Sequence, residues 1–397
     1  AVDFLVARWR PVNRRRAAVA SLALSLAFVA LLGWKSFEVI DAMDGIAFRK
    51  GEEIIVKPKT KFNQNLDAMP FPARHLLPHN RYSELHEAHG PTQAKYTTML
   101  SSRGCPYRCT FCTPQLWNFS WRIRSAQNVV DEMEFCVKEY GVTEFHFEDE
   151  NLTIDKRRIL EMCNEIKRRG LKVKWQTPNG IRASVTDFEM LKAMKDSGCY
   201  HITVAPESGS QRVLKDIVQK TQKLEQVNLV IERASKLGIN VAAYMMLGLP
   251  GETKDDVEQS IQYIKHMARI GLDEFAYAVF TPHPGSALYT KLKAEGKVPQ
   301  TWEELANVSD MTKAKSWSEF MTDDEVYQLR NRAYREFFFT RLRYHPLKIL
   351  KSVWNILRGK ETLKGERVIL TFIRRTILGK LKYNKSENKA EPHLAAV

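Results

Sequence analysis

Three cysteines stand within eight residues of one another, in the segment SSRGCPYRCTFCTPQ from Ser101 to Gln115. They are Cys105, Cys109 and Cys112, in a chain that contains six cysteines in all. Thiolates at this density bind either zinc or an iron–sulfur cluster. A structural zinc site closes its shell with four ligands, and no fourth cysteine is nearby. On a four-iron cluster, three thiolates would leave one iron open to a small molecule.

The segment from Cys105 to Cys112, CPYRCTFC, resembles the signature of the radical S-adenosylmethionine (SAM) superfamily. In that family three cysteines hold a 4Fe–4S cluster, and the open iron chelates the amino and carboxylate groups of SAM. One electron from the cluster then cleaves SAM to a 5′-deoxyadenosyl radical. The resemblance implies that Cys105, Cys109 and Cys112 are the metal ligands and the catalytic residues, with Phe111 beside the cofactor. A zinc site of three cysteines and one histidine is the alternative.

Strand-like and helix-like patterns alternate after these cysteines. Segments rich in β-branched, aromatic or apolar residues begin at Tyr96, Thr143, Lys172, Tyr200, Asn240 and Glu274. Helix-period apolar faces lie between several of them. This order predicts an α/β fold with a parallel sheet covered by helices. The resemblance implies a partial (β/α)6 TIM-like barrel with a helical C-terminal extension; periodicity alone does not distinguish it from a doubly wound sheet.

Polar residues follow the predicted strands, and in parallel α/β folds chemistry occurs at the C-terminal ends of strands. Glu148, Asp149 and Glu150 follow the second strand. Their position resembles that of the family motif that contacts the amino group of the methionine moiety. Any of the three could do so. The alternative is an N-cap cluster for the next helix, for which Asp155 is also eligible.

The later strand ends supply further candidate cofactor contacts. Asn179 and Arg182 follow the third strand and could hold a carboxylate. Glu207 and Ser208 belong to an ESGS turn that resembles the family turn reaching the ribose or carboxylate of SAM. Gly248 opens the segment GLPGET, whose glycines would let the backbone approach a ligand, here the adenine. A tight turn with a helix cap is the alternative for that segment.

The segments DGIAFRKGEEIIVKP and NLDAMPFPARHLLP, between Asp44 and Pro78, resemble the linker before the radical domain in one subgroup of the family, whose members carry an N-terminal cobalamin-binding domain. AVDFLV at residues 1–6 resembles the last strand of such a domain. Its usual D-x-H-x-x-G motif is absent from the sequence, so cobalamin is not assigned to this chain. Ala17 to Trp34 is apolar behind Arg14–Arg16 and could be a membrane segment, a helix covering the sheet edge, or a frameshifted stretch. The predicted divisions are a remnant of or replacement for an N-terminal domain (1–43, with an apolar helix at 17–34), a linker (44–94), the radical SAM core (95–295), a helical region (296–383) and a disordered tail (384–397).

Positive charge is concentrated at the C-terminus. The formal net charge is +15, and residues 341–397 hold 14 Lys/Arg against 4 Asp/Glu, which is +10. Such a region favours an acidic partner, whereas a solvated tail is the plain alternative. Three apolar residues, Trp354, Ile356 and Leu357, interleave with the cations Lys348, Lys351 and Arg358. This pattern suits a membrane surface or a packed helical extension with a basic outer face.

Together these features predict a radical SAM enzyme for methylation, cyclisation or rearrangement of a lipid-like or tetrapyrrole-like substrate. We expect an electron donor such as flavodoxin or ferredoxin, no nucleic-acid partner, and a cytoplasmic location with peripheral membrane contact as an option. Cys136, Cys163 and Cys199 are predicted to be buried core thiols. The alternatives are a tRNA-modifying methylthiotransferase, a zinc-binding module without activity, and an inactive remnant.

Overall fold

The computed structural model describes residues 43–78, 88–299, 301 and 315–373. The predicted apolar helix at 17–34 and the predicted disordered tail at 384–397 lie outside these residues. The chain divides into a unit that ends at Asn63 and a second that begins at Gln64, a boundary inside the predicted linker. In the first unit, β1 (Ala47–Lys50) and β2 (Glu53–Val56) pair as an antiparallel hairpin.

A parallel sheet of six strands forms the centre of the second unit. In pairing order the strands are β3 (Tyr96–Met99), β6 (Glu144–Phe147), β7 (Lys174–Ile181), β8 (Cys199–Glu207), β9 (Asn240–Leu247) and β10 (Glu274–Val279). The pairing order follows the sequence, whereas a doubly wound sheet would reverse at a switch point. Because β3 and β10 stand at opposite edges, the sheet is open. The predicted partial six-stranded barrel is therefore confirmed.

Helices cover the outer face of this sheet. They are α1 (Ala126–Tyr140), α2 (Lys156–Arg168), α3 (Phe188–Asp196), α4 (Leu224–Lys236) and α5 (Lys254–Ile270), and all but α4 begin with a side-chain N-cap. Asp155 caps α2 by accepting a hydrogen bond from the backbone N–H of Arg158, the role the sequence offered for it. Cys136, Cys163 and Cys199 are buried between helices and sheet, as predicted.

The remaining helices follow the last strand. They are α6 (Ala287–Ala294), α7 (Asp323–Tyr344), α8 (Pro346–Leu357) and α9 (Lys364–Phe372). The long helix α7 packs against the edge strand β10, where the ring centroids of Phe275 and Phe337 are 4.6 Å apart and Tyr334 Oη accepts from Tyr277 N at 3.0 Å. Among the helices that the structure describes, none has the length and apolar character needed to cross a bilayer.

Candidate cluster and cofactor site

The three cysteines lie in the loop between β4 (Ser102–Arg103) and β5 (Arg122–Ile123), just after the C-terminal end of β3. Gly104 opens this loop with φ +89°, where a β-carbon would lie 2.2 Å from the carbonyl oxygen of Ser120. Only glycine fits there without a shift of the backbone.

Thr110 fastens the middle of the loop to two other parts of the barrel. Its backbone N–H donates to Val218 O at 3.1 Å, and its hydroxyl donates to Ile217 O at 2.6 Å. Its carbonyl accepts from Leu288 N at 3.0 Å. The adjacent Phe111 is half-buried and packs against the small apolar cluster that includes Val218. The segment that carries the thiols is therefore held in place by hydrogen bonds to the 217–218 segment and to the start of α6.

All three thiols are free, with Cys105 and Cys109 partly buried and Cys112 exposed. Burial raises the pKa of each, and at each cysteine a neighbouring thiol raises the pKa further, so the three sulfur atoms lie close enough to interact. Within the described ranges, no group of three or more His, Cys, Asp or Glu side chains is arranged to hold a metal ion. A cluster instead takes thiolates on its separate irons. The donor set, three thiols and no histidine, fits a four-iron cluster with one iron left open.

A buried ion pair lies beside these thiols at the end of β8. Lys220 Nζ donates to Glu207 Oε1 at 2.8 Å and to Ala205 O at 2.5 Å. Burial raises the pKa of Glu207, although the ammonium of Lys220 opposes the rise. The charges of Lys220 and Glu207 both act on the pKa of Cys109 and of Cys112, which places the pair next to the cysteine loop.

Sequence reasoning identified Glu207 and missed Lys220. No motif marks this lysine, because it stands in the connection between β8 and α4 and folds back onto the end of β8. The structure also holds Glu207 at φ +66°, a left-handed conformation uncommon for a residue other than glycine. A polar residue held in that conformation at a strand end often marks a functional position.

Arg182 approaches the thiols from the end of β7. Its guanidinium carbon lies 3.5 Å from the ring centroid of Tyr107, within the cysteine loop. Its Nη2 donates to Thr221 O at 2.8 Å and to Thr221 Oγ1 at 2.9 Å. Its positive charge lowers the pKa of Cys105 and Cys109, against the larger effect of burial. Arg182 is therefore one of the cations that face the cluster loop.

The three acids after β6 have different partners. Asp149 is buried and accepts from the backbone N–H of Ser101 and from the hydroxyls of Ser101 at 2.7 Å and Ser102 at 2.5 Å. Burial raises its pKa despite these bonds. Glu150 accepts from Gly104 N at 3.2 Å. Asp149 and Glu150 thus both hold the backbone that leads from β3 into the cysteine loop.

The Glu148 carboxylate contacts a histidine that precedes β3. Its Oε2 lies 3.0 Å from His89 Nδ1, and His89 Nε2 lies 3.2 Å from the hydroxyl of Tyr244 on β9. Asn179 donates its Nδ2 to the carbonyl oxygen of Glu148 at 2.8 Å, so this amide orients the end of β6.

The remaining predicted contacts, Ser208 and Gly248, have partners inside the protein. Ser208 is fully buried, and its hydroxyl is 3.1 Å from that of Ser260 on α5. Gly248 has φ +77° and donates its N–H to Glu252 Oε2 at 2.6 Å. Glu252 is 0% exposed, and burial raises its pKa to about 8. The structure shows Ser208 and Gly248 in these internal contacts, while the charges of Arg182 and Glu207 act on the pKa values of the thiols.

A cavity of about 480 Å³ adjoins this region at the β3 edge of the sheet. Its lining combines apolar and charged side chains, including Leu66, Met99, Leu100, Arg103, Arg124 and Glu148. Cavities of this size accommodate small organic ligands. Two of its lining residues lie near the cysteine loop: Glu148 follows β6, and Arg103 directly precedes the loop.

Residues 99–264 match the profile of the radical SAM superfamily. An uncharacterized methyltransferase of Pyrococcus horikoshii is 27% identical over 80% of this chain and 67% of its own length. The cytidylyl-2-hydroxyethylphosphonate methyltransferase of Streptomyces wedmorensis is 34% identical over 61% of this chain and 46% of its own. The anaerobic magnesium-protoporphyrin IX monomethyl ester cyclase of Cereibacter sphaeroides is 28% identical over 76% of this chain and 47% of its own. This chain thus spans 46% to 67% of the length of these relatives.

Among solved structures, the cobalamin-dependent radical SAM enzyme OxsB, with aqua-cobalamin and SAM bound, aligns with a TM-score of 0.53 at 18% identity. The alignment covers 84% of this chain and 55% of OxsB. At this identity the match concerns the fold, and it agrees with the open six-stranded parallel sheet.

Proposed function

We propose, since residues 99–264 match the radical SAM superfamily, that Cys105, Cys109 and Cys112 bind a 4Fe–4S cluster whose open iron takes SAM. When bound, the cluster would supply the electron that cleaves SAM reductively to a 5′-deoxyadenosyl radical. One observation carries the proposal: three free thiols lie in one loop at the C-terminal end of β3, a loop held by the hydrogen bonds of Thr110 and contacted by Arg182 at Tyr107.

The residues around the loop offer opposite charges to the two ends of an amino acid. Glu148 has a partly exposed carboxylate toward the cavity, which suits an ammonium group. Lys220 and Arg182 provide positive charge near the thiols, which suits a carboxylate. Asp149 is already engaged by Ser101 and Ser102, and we assign it to positioning the loop. Glu207, Ser208, Asn179 and Gly248 complete the proposed SAM environment, and Phe111 packs beside it.

We propose that the radical removes hydrogen from carbon and that methylation or cyclisation follows, with rearrangement as a further option. The matched methyltransferases and the matched cyclase support the first two outcomes. The largely apolar cavity at the β3 edge supports a lipid-like or tetrapyrrole-like small molecule. The open edge of the sheet leaves room for such a substrate. The side chains that line the cavity would keep water away from a reactive carbon.

The proposed chemistry also implies a reductant and a reducing compartment. We propose an electron donor of the flavodoxin or ferredoxin type and a cytoplasmic location, because free thiols and an iron–sulfur cluster persist under reducing conditions. Cobalamin stays unassigned for this chain.

The proposal is tested by anaerobic reconstitution with iron and sulfide, followed by dithionite and SAM, with 5′-deoxyadenosine as the measured product. The expected result is product that disappears in Cys109→Ala and persists in Cys136→Ala, which removes a buried thiol away from the loop. Bound zinc without iron would overturn the proposal. So would a Cys109→Ala variant that keeps the iron content and product of the unmodified chain.

A further inference from the structure

Helix α8 is oriented with its polar side toward the protein and its apolar side outward. Lys348 Nζ donates to Asp273 Oδ1 at 2.9 Å and to Gly271 O at 2.9 Å, and Asn355 Nδ2 donates to Glu366 Oε1 at 3.1 Å. Leu347, Leu350, Trp354 and Leu357 are 78%, 62%, 54% and 74% exposed. Amphipathic helices of globular proteins normally bury the apolar stripe, so this arrangement is reversed.

The exposed apolar residues form one continuous stripe. Leu347, Leu350, Trp354 and Leu357 are spaced three, four and three residues apart, which places them on one side of a helix. Neighbouring helices add to the exposed apolar surface. The added residues are Phe338, Phe339, Leu342 and Tyr344 on α7, and Val368, Ile369 and Phe372 on α9. Exposed apolar surface of this extent marks an interaction site.

The charge around the stripe is of one sign. Residues 341–360 contain six Lys/Arg and no Asp or Glu. Arg343, Lys351, Arg358 and Lys360 are exposed, and the guanidinium of Arg358 lies 4.4 Å from the ring centroid of Trp354. Exposed leucines and a tryptophan flanked by cations form the pattern of a helix that lies in a membrane interface.

We propose that α8, together with the exposed ends of α7 and α9, docks on a bilayer surface that carries anionic headgroups. The leucines and Trp354 enter the boundary between headgroups and acyl chains, and the flanking cations contact the headgroups. A protein partner of mixed charge would have its own cations left unpaired and repelled, because residues 341–360 offer no acidic group. The inference does not depend on the radical chemistry, and it concerns a surface contact rather than a membrane span.

The test uses the full chain and sedimentation with vesicles of phosphatidylcholine, with and without about one third phosphatidylglycerol. The expected result is strong binding to the anionic vesicles and weak binding to the neutral ones. Each lost cation near an anionic surface weakens binding about fivefold, so Lys351→Ser with Arg358→Ser should weaken it about 25-fold. Raising salt to about 0.5 M should have a similar effect through screening.

Variants of the apolar stripe separate this proposal from its competitors. Leu350→Ser should weaken vesicle binding about tenfold or more, since an exposed leucine loses its burial in lipid. Leu229→Ser alters an exposed leucine on α4 and should leave binding unchanged. Equal binding to neutral and anionic vesicles would overturn the proposal. No vesicle binding, together with a dimer that Leu350→Ser dissociates, would also overturn it and assign the face to a second copy.

Discussion

Replacement of Gly104 by alanine tests how strictly the loop that carries the cysteines is held. Alanine at φ +89° carries the penalty of a left-handed backbone, about 1–2 kcal/mol. Its β-carbon would also lie 2.2 Å from Ser120 O, and the gap must open by about 1.2 Å to reach ordinary contact at 3.4 Å. Overpacking of this kind costs about 1–3 kcal/mol more. We therefore expect Gly104→Ala to destabilise the chain by about 2–5 kcal/mol and to distort the loop.

Gly141 provides a matched control, because it ends α1 with φ +62° and a β-carbon added there would have nothing within 4 Å. Gly141→Ala should show the backbone penalty alone, about 1–2 kcal/mol, and should bind iron as the unmodified chain does. The assay is iron and acid-labile sulfide per chain after anaerobic reconstitution, paired with urea unfolding. We expect Gly104→Ala to retain less than about one third of the iron. Equal iron content and equal stability in the two variants would refute the reasoning.

Three further substitutions probe the surroundings of the site. Lys220→Met leaves the buried carboxylate of Glu207 without its cation and should lower the free energy of unfolding by about 3–5 kcal/mol at neutral pH. Adding Glu207→Gln should recover much of this loss. A coupling energy below about 0.5 kcal/mol in a double-mutant cycle measured by urea unfolding would contradict the pairing. The pKa of Glu252 is raised to about 8 from 4.5, so the folded state keeps a proton that the unfolded state releases. The free energy of unfolding should therefore decrease as the pH rises from 4.5 to about 8, by up to about 1.4 kcal/mol per pH unit. Glu252→Gln should flatten this slope in urea titrations at pH 5 to 8. Thr110→Val leaves the carbonyl of Ile217 without its hydroxyl donor, so it should lower the free energy of unfolding by about 1–2 kcal/mol and reduce the iron retained. Thr110→Ser should keep the stability and the iron content. A valine variant with unchanged stability and iron content would show that this bond is dispensable.

The cysteine loop and the strand order could be predicted because their signals are local. Strand-like runs followed by polar residues mark the C-terminal edge of a parallel sheet, and the observed strands begin within a few residues of the predicted starts. The spacing of Cys105, Cys109 and Cys112 needs no tertiary information. Lys220 had no such signal, because its place beside Glu207 depends on how the connection after β8 folds back.

Adjacent residues can also differ in ways that a sequence pattern does not resolve. Asp149 points into the turn after β3, whereas Glu148 faces the cavity, although both follow the same strand. Helix α8 shows a related limit. From the sequence, its apolar residues could equally have packed against the protein. In the structure Lys348 donates a hydrogen bond to Asp273, and the leucines on the opposite side of the helix are exposed. The ion pair of Lys348 with Asp273, whose side chains are 31% and 5% exposed, holds this side of the helix against the protein.

The most direct test of the central claim is electron paramagnetic resonance of the reconstituted, dithionite-reduced protein with and without SAM. The account predicts the spectrum of a reduced 4Fe–4S cluster, with about four irons per chain, that changes when SAM binds the open iron. The signal should be lost in Cys109→Ala and kept in Cys136→Ala. A cluster whose spectrum does not respond to SAM, or a protein that binds zinc in place of iron, would contradict the account.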